Sequence, residues 1–257
     1  MTAPELRTAR DSRVLTVTFD RPHRRNALTW EMYDGLAAAI DEGELDPEIR
    51  ALVLRGSGGA FAAGTDIEQF SAFRDGADGV RYERRVTQIV NRLESVPIPT
   101  VAVVDGACTG AGLVLAAACD LRVATPAAVF GVPVARTLGN CLSANSCSLL
   151  SARFGPARLL DMIHRARLVS AAEMKAAGFI SELCEPAELD ATVRDLLAVL
   201  LSHAPLTMGA TKATLQRLRL AALPDDDDII AAVFGSADFR AGVNAFVTKQ
   251  PAKWTGR

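Results

Sequence analysis

Two short glycine-rich segments hold the residue types that could place backbone donors around a reacting atom. One runs Gly59-Ala-Phe-Ala-Ala-Gly64-Thr65, the other Gly110-Ala111-Gly112. The first has the glycine spacing of a phosphate loop but lacks the lysine that must reach the phosphates. The second follows a strand-like run, yet Leu115 stands where a dinucleotide fingerprint has its third glycine. What both share is strand–loop–helix patterning with small residues at the turn. Small residues admit a ligand close to the backbone, and N–H groups at a helix start are unpaired and partly positive. Two such donors converging on one point would stabilise an oxyanion, and each is typically worth ~3–4 kcal/mol of barrier. Two plain tight turns have the same spelling, and the sequence leaves both readings open.

Those turns need elements to hold them. Residues 13–19 (RVLTVTF) are β-branched and partly alternating, the pattern of a strand. A charged turn follows around Pro22, then helical periodicity over 28–40 with Thr29 as N-cap. Residues 51–54 spell a short buried strand and 56–64 a glycine-rich loop. A helix opens near Asp66, and a longer, polar one covers 80–93. Residues 100–104 read as a buried strand, 112–119 as a helix and 121–124 as another strand. Runs apolar on both faces, alternating with helices, indicate a mostly parallel, covered sheet. Beyond about residue 145 helices follow one another, at 144–154, 156–164, 171–178, 189–203, 207–220 and 226–248, the last broken near Gly235. The expected division is an α/β core over 1–200 and a helical region over 201–257.

Lys and Arg number 28 against 30 Asp and Glu, a formal charge of -2, which gives no electrostatic reason to expect a nucleic acid or an anionic membrane as partner. Apolar residues make up 49% and aromatics only 5%, so the core must be built largely from Ala, Val and Leu. Five cysteines, with no CxxC pair, sit in apolar stretches and read as reduced, buried thiols. The acidic run 225–228 follows Pro224 and opens a helix, where negative charge complements the dipole, so no metal site is expected there. The start of the chain is polar and no apolar run approaches ~20 residues, so the expectation is a cytoplasmic protein without a membrane span.

Several runs carry more than spacing. FDRPHRRNALTWEMYDGL (19–36), FAAGTDI (61–67) and VDGACTGAGLVLAAACDLRVAT (104–125), with FGVP (130–133) and the closing NAFVTKQPAKWTG, resemble the crotonase (enoyl-CoA hydratase/isomerase) superfamily in order and separation. The resemblance spans essentially the whole chain. It implies an α/β crotonase (ClpP/crotonase-like) fold of repeated ββα units with two roughly perpendicular sheets. It also implies a helical C-terminal region that supports homotrimers, often paired into hexamers. The substrate it implies is an acyl-CoA, with no separate cofactor, and the backbone N–H groups of Thr65 and Ala111 would form the oxyanion hole for the thioester carbonyl. Ala63 would touch the CoA pantetheine or adenine, with Asp66 and Ile67 on the same loop, while His23, Arg25 and Ala27 would line the adenine end. Lys249 either reaches the CoA phosphates, from its own or a neighbouring subunit, or is a solvated surface lysine.

The chain departs from the hydratases of that family at two positions. They use one glutamate three residues after the second oxyanion-hole position and another directly after the FGxP segment. Here these are Val114 and Val134, neither of which can move a proton. General acid–base groups contribute ~10²–10⁴-fold each, so ordinary hydration by that route should be severely impaired. Downstream, Arg136, Asn140, Cys141, Ser143 and Asn145 bring polar side chains to the expected acyl end of the pocket. Arg136 would hold an acyl carboxylate or enolate there, or else pair with a buried acid such as Asp120 or Asp66. Asp66 is an acid–base candidate or a helix N-cap, and Glu68 the same or a solvated residue. Cys141 lacks a recognisable histidine partner and is set aside as a nucleophile. The function these residues imply is an acyl-CoA-converting enzyme running isomerisation, decarboxylation or retro-aldol chemistry, or a protein that binds acyl-CoA without turnover.

Overall fold

In the computed structural model, which describes residues 5–257, the polar start of the chain is an edge strand, β1 (Leu6–Asp11), paired antiparallel with β2 (Val14–Phe19). Every β1 residue after Leu6 is exposed, so no apolar alternation marked it. Met1 to Pro4, the first part of that polar start, lie outside the described residues. Three successive strand pairs then build two sheets: β3 (Ala51–Gly56) with β4 (Ala60–Ala62), β5 (Thr100–Val104) with β6 (Ala107–Thr109), and β7 (Leu121–Ala124) with β8 (Val129–Gly131). The first member of each pair joins the larger sheet and the second joins the smaller. β9 (Val169–Ser170) and β10 (Glu182–Leu183) complete them, giving orders β1-β2-β3-β5-β7-β10 and β4-β6-β8-β9. β2 through β10 of the larger sheet run parallel.

Alternation along the strands sorts two cores. Leu52, Leu54, Ala102 and Val104 face the main core, while Val53, Val101, Val103 and Val123 face a smaller one. Because both faces are covered, β5 is buried at all five residues, as its unbroken apolar run required. Helix α1 (Trp30–Leu45) opens as expected at Thr29, whose hydroxyl accepts the Met32 N–H at 3.3 Å. α2 (Gly76–Ser95) follows β4 and α3 (Ala111–Ala118) follows β6, the ββα repeat.

The remaining helices are α4 (Val134–Thr137), α5 (Ala144–Phe154), α6 (Pro156–His164), α7 (Ala171–Ala176), α8 (Leu189–Ser202), α9 (Pro205–Leu220), α10 (Asp227–Phe234) and α11 (Ala237–Thr248). α8 covers the smaller core with Leu189 and Val193. Of the C-terminal helices, α10 and α11 pack into the main core. Phe234 of α10 packs edge-on against Phe70 (6.5 Å between ring centroids) and tilted against Tyr82 (5.9 Å), and Phe239 of α11 packs edge-on against Phe70 (5.9 Å), inside the main core. Among the described residues all five cysteines are free, and burial pushes the Cys141 thiol up to about 12. Among the described residues no single helix is long and apolar enough to cross a membrane.

Candidate functional site

The two glycine-rich turns meet. Gly64 (φ +103°) and Gly110 (φ +55°) both adopt backbone that residues with a Cβ rarely reach. A Cβ on Gly64 would stand 3.4 Å from Thr109 O and 3.7 Å from Ala111 N, and one on Gly110 would stand 3.5 Å from Gly64 Cα. The two turns therefore face each other across about the width of one methyl group, each backbone bare toward the other. Their flanking groups are committed: Leu28 N–H donates to Gly64 O (2.8 Å), Asp66 N–H to Leu28 O (2.9 Å) and Gly110 N–H to Gly131 O (2.9 Å). The N–H groups of Thr65 and Ala111 have no acceptor among the described residues. Ala111 opens α3, so its N–H is one of the donors a helix start leaves unpaired.

Buried polar contacts hold both donors in place. The Thr65 hydroxyl is hydrogen-bonded to the hydroxyls of Tyr33 (2.7 Å) and Tyr82 (2.8 Å), which are the only two tyrosines in the chain. Burial raises both phenols well above their ordinary values, so they stay neutral. Next to Thr65, Asp66 accepts from Arg21 at 2.6 Å and from Glu68 N–H at 3.1 Å, closing a buried ion pair at the start of a 3-10 turn over Ile67–Ala72. At the other end of α3 the buried Arg122 guanidinium donates to the carbonyls of Ala116 (3.2 Å), Cys119 (2.7 Å) and Asp120 (2.9 Å), while Arg153 reaches Ala117 O (2.9 Å). Two cations on the carbonyl end complement the helix dipole whose positive end is at Ala111.

Both loops border a cavity of about 300 Å³. Val114 of α3 and Val134 of α4 are on its wall, with Tyr82 and Glu83 of α2, Asn140, and Phe246 of α11. Of the residues expected from sequence, Ala63, Thr65, Ile67, Ala111 and Arg25 border this cavity. His23 is exposed on the turn before Arg25, and Ala27 is half-buried beside it, neither on the wall. Lys249 lies with Arg24 and Glu68 around a second, open hollow of about 660 Å³ that shares Phe246 with the cavity.

Two expected residues stand elsewhere. Arg136 is exposed and off the cavity wall. α4 turns about 100° per residue, so with Val134, Thr137 and Leu138 facing the cavity, position 136 faces the opposite way. Nor does it pair with the acids considered, since Asp66 is held by Arg21 and Asp120 by Lys212 at 2.8 Å. Asp66 is likewise off the wall, its carboxylate occupied in fixing the Thr65 loop.

Sequence reasoning passed over Glu83. It is 4% exposed, and its Oε2 accepts the Ser143 N–H at 3.3 Å. Burial is the main reason its carboxyl is raised to about 7, with the nearby Asp226 adding to the shift. The signal was present: Tyr82, Glu83, Val86, Ile89, Val90 and Leu93 form one helical stripe, and a glutamate on that stripe is a buried charge.

With this geometry established, comparison with known proteins identifies the family. The model of the enoyl-CoA hydratase/isomerase family matches residues 9–257, and the chain belongs to that family, within the crotonase superfamily. The chain is 30% identical over 251 residues to the 1,2-epoxyphenylacetyl-CoA isomerase of Escherichia coli, covering 95% of each. It superposes on a methylmalonyl-CoA decarboxylase solved with 2S-carboxypropyl CoA at a TM-score of 0.88, with 25% identity and 100% of both chains covered. An enoyl-CoA hydratase from Mycobacterium avium subsp. paratuberculosis superposes at 0.84, with 25% identity over 99% of this chain and 100% of the other. These three carry the names of three different reactions, so membership fixes the fold and an acyl-CoA enzyme family rather than one conversion.

Proposed function

We propose that the cavity binds the acyl end of a coenzyme A thioester and stabilises its enolate between the N–H groups of Thr65 and Ala111. The close approach of the Gly64 and Gly110 turns, with both N–H groups lacking acceptors beside one cavity, carries this reading. Such preorganised donors act where the oxyanion develops and lose nothing to reorganisation at the moment of reaction. Ala63 and Ile67 would follow the pantetheine arm, while Arg24, Arg25 and Lys249 supply cations on the side where the phosphates leave the cavity.

Hydration is not the reaction this pocket is built for. Val114 and Val134, where the family resemblance places the two hydratase glutamates, both border the cavity and neither can take or give a proton. An enolate can form without them through isomerisation, retro-aldol cleavage or decarboxylation, and the likeness to the decarboxylase supports that class. The paired valines also favour a second reading, acyl-CoA binding without turnover, which conversion of any acyl-CoA would eliminate. The exposed leucines Leu206, Leu215 and Leu218 of α9 support a homotrimer or hexamer, and the five free thiols support a reducing, cytoplasmic setting.

The test is loss of enoyl thioester absorbance from crotonyl-CoA, alongside calorimetric binding of the same compound. Binding without hydration is expected, with hydration appearing in the Val114→Glu/Val134→Glu variant. Wild-type hydration at roughly 1–10³ s⁻¹, the ordinary enzyme range, would contradict it.

A further inference from the structure

Resting on that reading and on the isomerisation it includes, we propose that the proton in this pocket is moved by Glu83, on α2 and at neither of the two glutamate positions the resemblance implies, in shifting the double bond of a β,γ-unsaturated acyl-CoA into conjugation with its thioester. Among the described residues three acids are buried, Asp66, Glu83 and Glu94. Asp66 is paired with Arg21 and Glu94 with Arg219, but Glu83 has no cation. It is also the only one of the three on the cavity wall. Structural burial of an acid normally comes with a charged partner, and a carboxyl kept without one beside a cavity is a candidate for proton transfer there.

Position supports the role. Glu83 follows Tyr82, whose hydroxyl is bonded to that of Thr65, so adjacent residues of α2 border the cavity and hold the Thr65 loop. The titratable groups facing it are Asp226 at the start of α10, Cys141 and Cys147 from the segment around α5, Tyr33 of α1 and Tyr82 of its own helix. No cation is among them to hold the carboxyl permanently ionised, and its value of about 7 suits a group that must both take and return a proton. The same cavity wall carries Asn140, whose buried Oδ1 has no partner, so Glu83 is not the only polar group on it.

The step balances within the site. The Glu83 carboxylate takes the α proton, and the C–H electron pair forms the dienolate, with negative charge on the thioester oxygen between the Thr65 and Ala111 N–H groups. Collapse of the dienolate sends electrons to the γ carbon, which takes the proton back from Glu83. No oxidant, water or metal is consumed.

The experiment uses the full chain with trans-β,γ-hexenoyl-CoA, following the absorbance of the conjugated product. Deuterium uptake at the α carbon of butanoyl-CoA in heavy water is measured alongside, with calorimetric binding of both thioesters. Wild type should isomerise and exchange, with kcat/KM rising as pH increases through an apparent pKa near 7. Glu83→Gln should lose ~10²-fold or more in both reactions while thioester affinity stays within a few-fold. Glu83→Asp should recover part of the rate with the same ascending limb. Equal rates in wild type and Glu83→Gln overturn the assignment, as does thioester binding by wild type with neither isomerisation nor exchange; both leave the binding cavity standing. Failure of wild type to bind any thioester sinks the underlying reading as well. If Glu83→Gln does not fold, the wild-type pH profile decides, and a flat one overturns the proposal.

Discussion

Replacing Thr65 by valine is nearly isosteric and leaves the backbone N–H in place, so it isolates the side-chain network that positions this donor. Thr65 is 9% exposed, Tyr33 1% and Tyr82 8%, so water does not substitute freely for a lost partner. The two phenols, at 2.7 and 2.8 Å, would lose their shared hydroxyl. Stranding a buried hydroxyl costs about 1–3 kcal/mol, and the phenols can recover about 1 kcal/mol by turning toward one another. For two stranded hydroxyls the expected net loss is about 1–5 kcal/mol, which lowers Tm by roughly 2 °C or more in a chain of this size. Because both phenols are raised far above neutral pH, the loss should be the same in mildly acidic and mildly basic buffer. Urea unfolding of Thr65→Val, Thr65→Ser and the triple variant Tyr33→Phe/Thr65→Val/Tyr82→Phe is the assay. Serine keeps the hydroxyl and should stay within about 1 kcal/mol of wild type, and the triple variant should recover much of the loss because it strands nothing. A Thr65→Val protein as stable as wild type, or a triple variant no better than the single, would refute the network.

Two further outcomes follow from buried charges. Glu83 is raised in the folded state from 4.5 to about 7, so the unfolded chain ionises first. The native state should therefore lose stability as pH rises through that interval, by on the order of 3 kcal/mol once above it. Glu83→Gln should flatten this dependence and be the more stable protein in mildly basic urea titrations, the reverse of what a structural glutamate would show. Arg122→Leu strands the carbonyls of Ala116, Cys119 and Asp120, at about 1–3 kcal/mol for each that finds no new partner, with hydrogen exchange in α3 rising before global unfolding.

Local signals made most of the helices legible. Thr29, Pro156 and the break at Gly235 act within a turn of the chain, and the helices they bound fall where periodicity placed them. The smaller sheet was not legible, because β4, β6 and β8 are three residues each and too short to show a period. At the site, spacing singled out both glycine turns, but only the tertiary fold brings Gly64 against Gly110. Arg136 looked like a pocket residue because it is close in sequence to Val134, and the rotation of a four-residue helix turns it outward. Glu83 lay in a helix read as polar as a whole, where one acid on the apolar stripe went unnoticed.

The central claim is that the Thr65 and Ala111 N–H groups polarise a thioester carbonyl, and the vibrational spectrum of that carbonyl tests it most directly. An isotope-edited infrared difference spectrum of butanoyl-CoA bound to the wild-type protein should show the carbonyl stretch at a lower frequency than in water, as two fixed donors draw charge onto the oxygen. Saturable binding with an unshifted or raised carbonyl frequency would contradict the account.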